Sequence, residues 1–158
     1  MKKVLSGALI VALVGAPRVE ALARQSDRVN ANMTAEVQQA VDELLRSARY
    51  LEWEAFRACF ASDATVLYMG KPSRSDGWEG LESFFRPLFD GPAKTGSPPY
   101  LTIEPIDLQI QLMENSAIVT YLLGDEEAER TFRTLVYQKR EGQWLIVHLH
   151  ASNPLVAQ

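Results

Sequence analysis

The chain has 158 residues, of which 47% are apolar, and a formal charge of −4 at pH 7. This length suits a single domain, and the acidic balance argues against nucleic acid or an anionic membrane surface as a partner. Cys59 is the single cysteine, so no internal disulfide can form, and its apolar neighbours favour a buried packing residue.

The first 23 residues have the order of a secretory signal peptide. Lys2 and Lys3 precede an apolar stretch over residues 4–14, and a polar stretch then leads to the small residues Ala21 and Ala23. The apolar stretch is too short to span a bilayer, which takes about 20 residues, and the alternative is a buried N-terminal helix. We therefore expect cleavage after Ala23 and export to the periplasm or the medium, with no membrane contact afterwards.

Residues 24–33 are polar and aperiodic, which predicts a flexible leader before a domain over residues 34–154. Thr34 is placed to cap a first helix. The apolar side chains of that helix recur at the spacing of one buried stripe, namely Val37, Ala40, Val41, Leu44, Leu45 and Ala48. This stripe predicts a helix with one face in the core.

Two further helices flank the first predicted strand. Residues 51–61 repeat large aromatic side chains at helical spacing, and residues 63–70 are rich in β-branched and aromatic types and end at a glycine. Asp76 and Glu79 fit a capping box that opens a third helix. The loop after this helix is rich in glycine and proline.

The remaining residues predict an antiparallel meander. Turns are expected at 114–115, in the acidic segment 125–129 and at 141–142. Near Pro105 the apolar positions change from odd to even numbers, which predicts a β-bulge. Helices first and strands last predict an α+β fold with helices packed on one face of a curved sheet.

A two-residue turn at 141–142 would fix the register of the last hairpin. Arg133 then faces His150, with His148 on the same face. We expect these three side chains to meet beneath a mostly apolar ladder, and we assume that Tyr121 lies on the same side. His148 and His150 are the two histidines of the chain.

Three interpretations of the histidines remain open. A metal site needs about three protein ligands, whereas the H-x-H pair supplies two and Arg133 would repel a cation. Acid–base catalysis suits histidine because its pKa lies near neutrality, and Arg133 would hold an anionic group or a developing oxyanion. Alternatively, the histidines are core or interface residues that support the sheet. No phosphate-binding loop, nucleophile elbow or dinucleotide fingerprint is present, so no cofactor is expected.

The chain resembles the SnoaL-like members of the nuclear transport factor 2-like superfamily. The resemblance covers residues 34–154 and is carried by "WEAFRACFASDATVLYMG", "DGWEG" and "FRTLVYQKREGQWLIVHLHAS". The closing run is also similar to that of the association domain of calcium/calmodulin-dependent protein kinase II. The resemblance implies a cone-shaped antiparallel sheet wrapped around N-terminal helices, a cystatin-like or ketosteroid-isomerase-like roll with a pocket inside.

The site residues of these relatives transfer only in part. The isomerase type resembled here uses a tyrosine and two acidic groups, but Asp107 falls on the face away from Tyr121. The resemblance to the kinase association domain implies a pocket that contains a cluster of arginines. The equivalent places in this chain hold Tyr121, Leu135 and Ala151. Arg133, one step along the face, could substitute for one member of that cluster. The resemblance therefore implies a pocket without a complete inherited catalytic set.

We predict an exported domain that binds a small hydrophobic or anionic molecule and forms a homodimer. An enzyme of this kind would be a cofactor-independent isomerase, cyclase or dehydratase. The alternative is a non-catalytic dimerisation or protein-interaction module. The candidate catalytic residues are His148 and His150, and the candidate ligand-binding residues are Arg133, Tyr121, Tyr68 and Trp53.

Overall fold

The computed structural model describes residues 16–91, 95–126 and 129–153. The apolar stretch 4–14 of the expected signal peptide lies outside the described residues, so its cleavage stays a prediction. The chain forms two compact units, Met1–Asn32 and Met33–Gln158, and the whole sheet lies in the second.

Three helices are present in the described residues: α1 over Ala16–Arg49, α2 over Trp53–Ala58 and α3 over Gly77–Asp90. The predicted cap at Thr34 is wrong because α1 already begins at Ala16, and residues 24–33 are helical rather than irregular. The predicted apolar stripe is confirmed, since Val37 and Val41 are fully buried. None of these helices combines the length and the apolar character needed to cross a membrane.

The helix α3 begins where it was predicted, but not through a capping box. Asp76 occupies the N-cap position without a side-chain hydrogen bond to the helix. Its carboxylate instead pairs with Arg74, whose Nε lies 2.6 Å from Oδ1. The helix therefore depends on its buried face, formed by Leu81, Phe85 and Phe89, rather than on this cap.

In the described ranges, six strands form one curved, unclosed sheet. In chain order they are β1 Phe60–Leu67, β2 Ser75–Asp76, β3 Ile106–Met113, β4 Ser116–Leu123, β5 Thr131–Arg140 and β6 Gln143–Ser152. Their order in the sheet is β2-β1-β6-β5-β4-β3. The predicted α+β fold is confirmed, and the sheet is mixed rather than wholly antiparallel because β1 and β6 run parallel.

The β3–β4 hairpin has the predicted register near its turn. Leu112 faces Ala117 and Ile110 faces Val119. The expected bulge near Pro105 lies slightly later, between Ile106 and Gln109. The hairpin thereby places one side of β4 in the core.

The β5–β6 hairpin follows the predicted register only as far as Tyr137, which faces Ile146. The next residue, Val136, faces His148, so Val147 is an extra residue in β6. Such a β-bulge shifts every following side chain of β6 to the opposite face.

The bulge overturns the predicted pairing of Arg133 with His150. Arg133 instead faces Ala151, and Thr134 faces His150. Leu149 and Ala151 now point inward and are 6% and 3% exposed. His148 and His150 consequently lie on the outer face of the sheet.

An aromatic cluster joins α2 and α3 to β1. The ring of Phe56 lies 5.1 Å from that of Phe85 and 4.7 Å from that of Phe89. The ring of Trp53 meets Phe89 edge-on at 5.5 Å. Each such pair adds about 0.5–1.5 kcal/mol beyond its buried area, so α3 is held firmly over the inner face of the sheet.

Candidate functional site

A cavity of about 150 Å³ lies within the second unit, between α1, α3 and the inner face of the sheet. Most of its wall is apolar, with Leu44, Leu45, Ala48, Phe85, Leu88 and Phe89 contributed by the two helices. The sheet contributes Tyr121, Arg133 and Leu149. A cavity of this volume is of the size that accommodates one benzene ring.

Arg133 places a positive charge in this apolar wall. The residue is 9% exposed, and its Nη1 donates a hydrogen bond of 2.9 Å to the carbonyl of Phe132. Its guanidinium carbon lies 5.5 Å from the centroid of the Tyr68 ring. No carboxylate among the residues that the structure describes forms an ion pair with it. A buried charge without a counter-ion is costly, and an anionic ligand would supply one.

Tyr121 is the Cα partner of Arg133 on the neighbouring strand, and both side chains face the cavity. The assumption that they share a side is confirmed. Burial raises the pKa of Tyr121 to about 12, although the charge of Arg133 acts in the opposite direction. The phenol therefore stays protonated near neutral pH and is suited to donate a hydrogen bond.

Tyr68 comes directly after β1 and lines the cavity beside Arg133. Its ring contacts those of Phe84 and Phe85 at centroid distances of 4.8 and 5.9 Å. These contacts fix the ring position, so the aromatic face that meets the guanidinium is held in place by α3. Tyr68 thus lies where the predicted wall residue should lie.

Trp53 lies one layer further out and does not line the cavity. It is buried against Phe89, and its Nε1 has no acceptor among the described residues. On its other side, Trp53 lines an open groove with Arg86. Its contribution to the cavity is therefore indirect, through the position of α3.

The two histidines lie outside the cavity, so the predicted placement of both beside Arg133 is wrong. His148 is half-buried on the outer face, where its Nδ1 lies 2.7 Å from Oγ1 of Thr65. Burial lowers the pKa of His148, and the charges of His150 and Arg74 lower it further. His150 is exposed. Neither imidazole can therefore act on a molecule held beside Arg133.

Other groups with metal-binding or nucleophilic chemistry are not arranged for it. In the described ranges, no three residues of the histidine, cysteine, aspartate or glutamate types are grouped as metal ligands. Burial raises the pKa of Cys59 to about 12, which keeps the thiol protonated and unreactive.

One wall of the cavity comes from residues 101–103, which the alternation of apolar residues predicts as strand but which lie outside the strands of the structure. Leu101 and Ile103 line the cavity, and Arg49 at the end of α1 holds them there. The Arg49 carbonyl accepts hydrogen bonds from the backbone N–H groups of Tyr100 at 2.9 Å and Leu101 at 3.2 Å. Its side-chain Nε donates to the Ile103 carbonyl at 2.8 Å. The alternation of Leu101 and Ile103 indicated two buried side chains but not their contact with Arg49, whereas Phe89 could have been found from its helical spacing to Phe85.

The family model of the SnoaL-like domain matches residues 37–156. No curated protein sequence matches the chain significantly. An NTF2-like protein of unknown function from Pseudomonas putida KT2440 is 19% identical with a TM-score of 0.65, over 80% of this chain and 91% of that one.

Two further structures have the same fold. A candidate dehydratase of the NTF2-like family from Streptomyces avermitilis is 15% identical with a TM-score of 0.63, over 78% of this chain and 97% of that one. The calcium/calmodulin-dependent protein kinase II hub homology domain of Chlamydomonas reinhardtii is 20% identical with a TM-score of 0.60, over 77% and 98%. At these identities the likeness concerns the fold alone.

Proposed function

This chain belongs to the SnoaL-like domain family, and we propose from that premise that it binds a small molecule in the cavity beside Arg133. One observation carries the proposal: a buried guanidinium lines an apolar cavity and has no anionic partner in the described residues. Apolar walls favour an apolar ligand body, and the few polar groups would orient it. The cavity and the cation are thus suited to the same molecule.

Binding is favoured over acid–base catalysis by the chemistry of the wall. The cavity is lined by one guanidinium and two phenols, of Tyr68 and Tyr121, and by no carboxylate or imidazole in the described part of the chain. A general base must reach the proton it removes within hydrogen-bonding distance. The catalytic role predicted for His148 and His150 gains no support from their place on the outer face.

Toluene is a suitable probe of the cavity because its ring matches the cavity volume. We expect toluene to shift the methyl NMR signals of Leu44 and Leu45 in a saturable way. The variant Ala48→Leu fills the cavity from α1 and should abolish this saturation. Ala40→Leu is the matched control, because Ala40 is half-buried on the same helix but outside the cavity. Saturation that survives Ala48→Leu would contradict binding in this cavity.

A second candidate function is self-association through the outer face of the sheet. This face carries Phe132, which is 46% exposed, beside the half-buried Val136 and Ile118. His148 and His150 lie on the same face. Exposed apolar surface of this kind is typical of protein contacts. The hub homology domain and the association domain of the Caenorhabditis elegans kinase have the same fold, which supports an oligomer but does not define it.

Light scattering on the purified protein tests the predicted homodimer. Phe132→Asp places a charge on the outer face and should convert the dimer to a monomer. Tyr50→Asp is the control, because Tyr50 is 40% exposed but follows α1 and lies outside the cavity. A wild-type monomer at all accessible concentrations would overturn the proposal of a dimer.

We further propose export through residues 1–23. The proposal is supported by the order of charged, apolar and small residues in this segment. Mass spectrometry of the protein recovered from a secreting host should find Arg24 as the first residue. Ala23→Asp should block this cleavage, and recovery of the uncut chain from the wild type would contradict it.

A further inference from the structure

We propose that the ligand is a small monocarboxylate whose apolar body is about the size of one six-membered ring. The inference rests on the proposed binding function and names the chemical class that the cavity selects. Three properties of the site indicate this class of ligand. They are the cation without an ion-pair partner in the described residues, the geometry of its free donors, and the volume and polarity of the walls.

The first property is charge. Arg133 carries a cationic guanidinium, which has N–H donors and no acceptor. With 9% exposure and no ion-pair partner in the described residues, it keeps most of its desolvation cost when the cavity is empty. An anion offsets this cost, whereas a neutral molecule of the same shape does not. The cavity therefore discriminates by charge before it discriminates by shape.

The second property is the arrangement of donors. Nη1 of Arg133 is engaged by the Phe132 carbonyl, and Nε and Nη2 have no acceptor among the described residues. Two parallel N–H groups on one edge of a guanidinium match the two oxygens of a carboxylate. Tyr121, paired with Arg133 across β4 and β5, offers one further O–H donor. A phosphate would bring a second negative charge and more acceptors than these donors can satisfy.

The third property limits the rest of the ligand. The walls opposite Arg133 are leucine and phenylalanine side chains from α1 and α3, with Leu45 and Phe85 as examples. A second carboxylate would enter these walls without a donor, at a cost that binding cannot recover. The volume of about 150 Å³ then admits a ring or a chain of similar size but not a steroid or a polyketide.

Calorimetry with benzoate, toluene, acetate and terephthalate tests the class on the full-length wild-type protein. We expect benzoate to bind at least about tenfold more tightly than either toluene or acetate, and terephthalate to bind more weakly than benzoate. Arg133→Met should weaken benzoate by about ten- to a hundredfold, the worth of hydrogen bonds to a charged group, and leave toluene within about threefold. Arg57→Met is the control, since Arg57 contacts the Trp78 ring outside the cavity.

The outcomes distinguish a failure of the monocarboxylate class from a failure of the proposed binding in the cavity. If toluene binds as tightly as benzoate and Arg133→Met changes neither, the carboxylate class is overturned while binding in the cavity stands. If acetate equals benzoate, the apolar body is overturned. If Ala48→Leu removes benzoate binding while Ala40→Leu retains it, the ring lies in the cavity as proposed. If neither toluene nor benzoate binds the wild type, both the class and the proposed function fail.

Discussion

The two faces of the β5–β6 hairpin carry different chemistry on the same two strands. The inner face buries Arg133 in an apolar cavity, and the outer face holds His148 and His150 against Thr65 and solvent. One extra residue, Val147, separates these arrangements. If Val147 were paired instead of bulged, the regular ladder would place the cation and both imidazoles together. Whether one strand residue is paired or bulged therefore decides which titratable groups can share a site.

The difference has a consequence for how each face responds to pH. The described lining of the cavity includes no carboxylate and no imidazole, so anion binding there should not depend on pH between about 6 and 8. On the outer face, burial and the charges of His150 and Arg74 lower the pKa of His148. Any pH response of the protein is therefore expected at the outer face, in self-association or stability, and not in the cavity.

Leu149→Ala and His150→Ala compare neighbouring residues on opposite faces. Leu149 is 6% exposed and lines the cavity, so its truncation should lower the free energy of unfolding by about 2–5 kcal/mol. His150 is exposed, and its truncation should change the same quantity by less than about 0.5 kcal/mol. Equal effects in urea unfolding would mean that the register beyond Val147 differs from the one described.

The sequence contained the signal for this register, although the two-residue turn obscured it. Trp144 and Ile146 are apolar at even positions, and Leu149 and Ala151 are apolar at odd positions. The same change of phase correctly indicated a bulge near the start of β3, displaced by a few residues. The geometry of the turn fixes only the residue pairs next to it. Beyond a bulge, the alternation of apolar residues along the strand indicates the register.

Other parts of the site differ in how far local patterns determine them. The stripe of α1 and the resemblance predicted the fold and one wall of the cavity, because burial periodicity is local. The assumption that Tyr121 lies on the same side of the sheet as Arg133 is confirmed, but the acidic turn between β4 and β5 gave no basis for deriving it. The hydrogen bonds of Arg49 to Ile103 join residues far apart in sequence, so no local pattern could predict them.

Arg133→Met should raise stability by about 1 kcal/mol while it removes the proposed anion site. The methionine fills similar space without the desolvation cost of a buried, unpaired charge, which outweighs one backbone hydrogen bond and the contact with Tyr68. Urea unfolding with and without benzoate measures both effects. A decrease of more than about 1 kcal/mol in the free energy of unfolding would show that the guanidinium stabilises the fold. Replacing a residue that serves binding alone commonly makes the folded protein more stable.

The smallest effect should come from His148 on the outer face. Its pKa in the folded protein is lowered, first by burial, so the unfolded chain takes up the proton at a higher pH than the folded chain. Stability is therefore full above the unfolded value of about 6.5 and declines as the pH falls through it. Urea unfolding at pH 7.5 and 5.5 should show a decline that is smaller in His148→Gln. NMR titration of His150→Gln should move the His148 midpoint upward but leave it below 6.5, because burial is the larger cause. A midpoint at or above 6.5 in the wild type would place the His148 ring in open solvent.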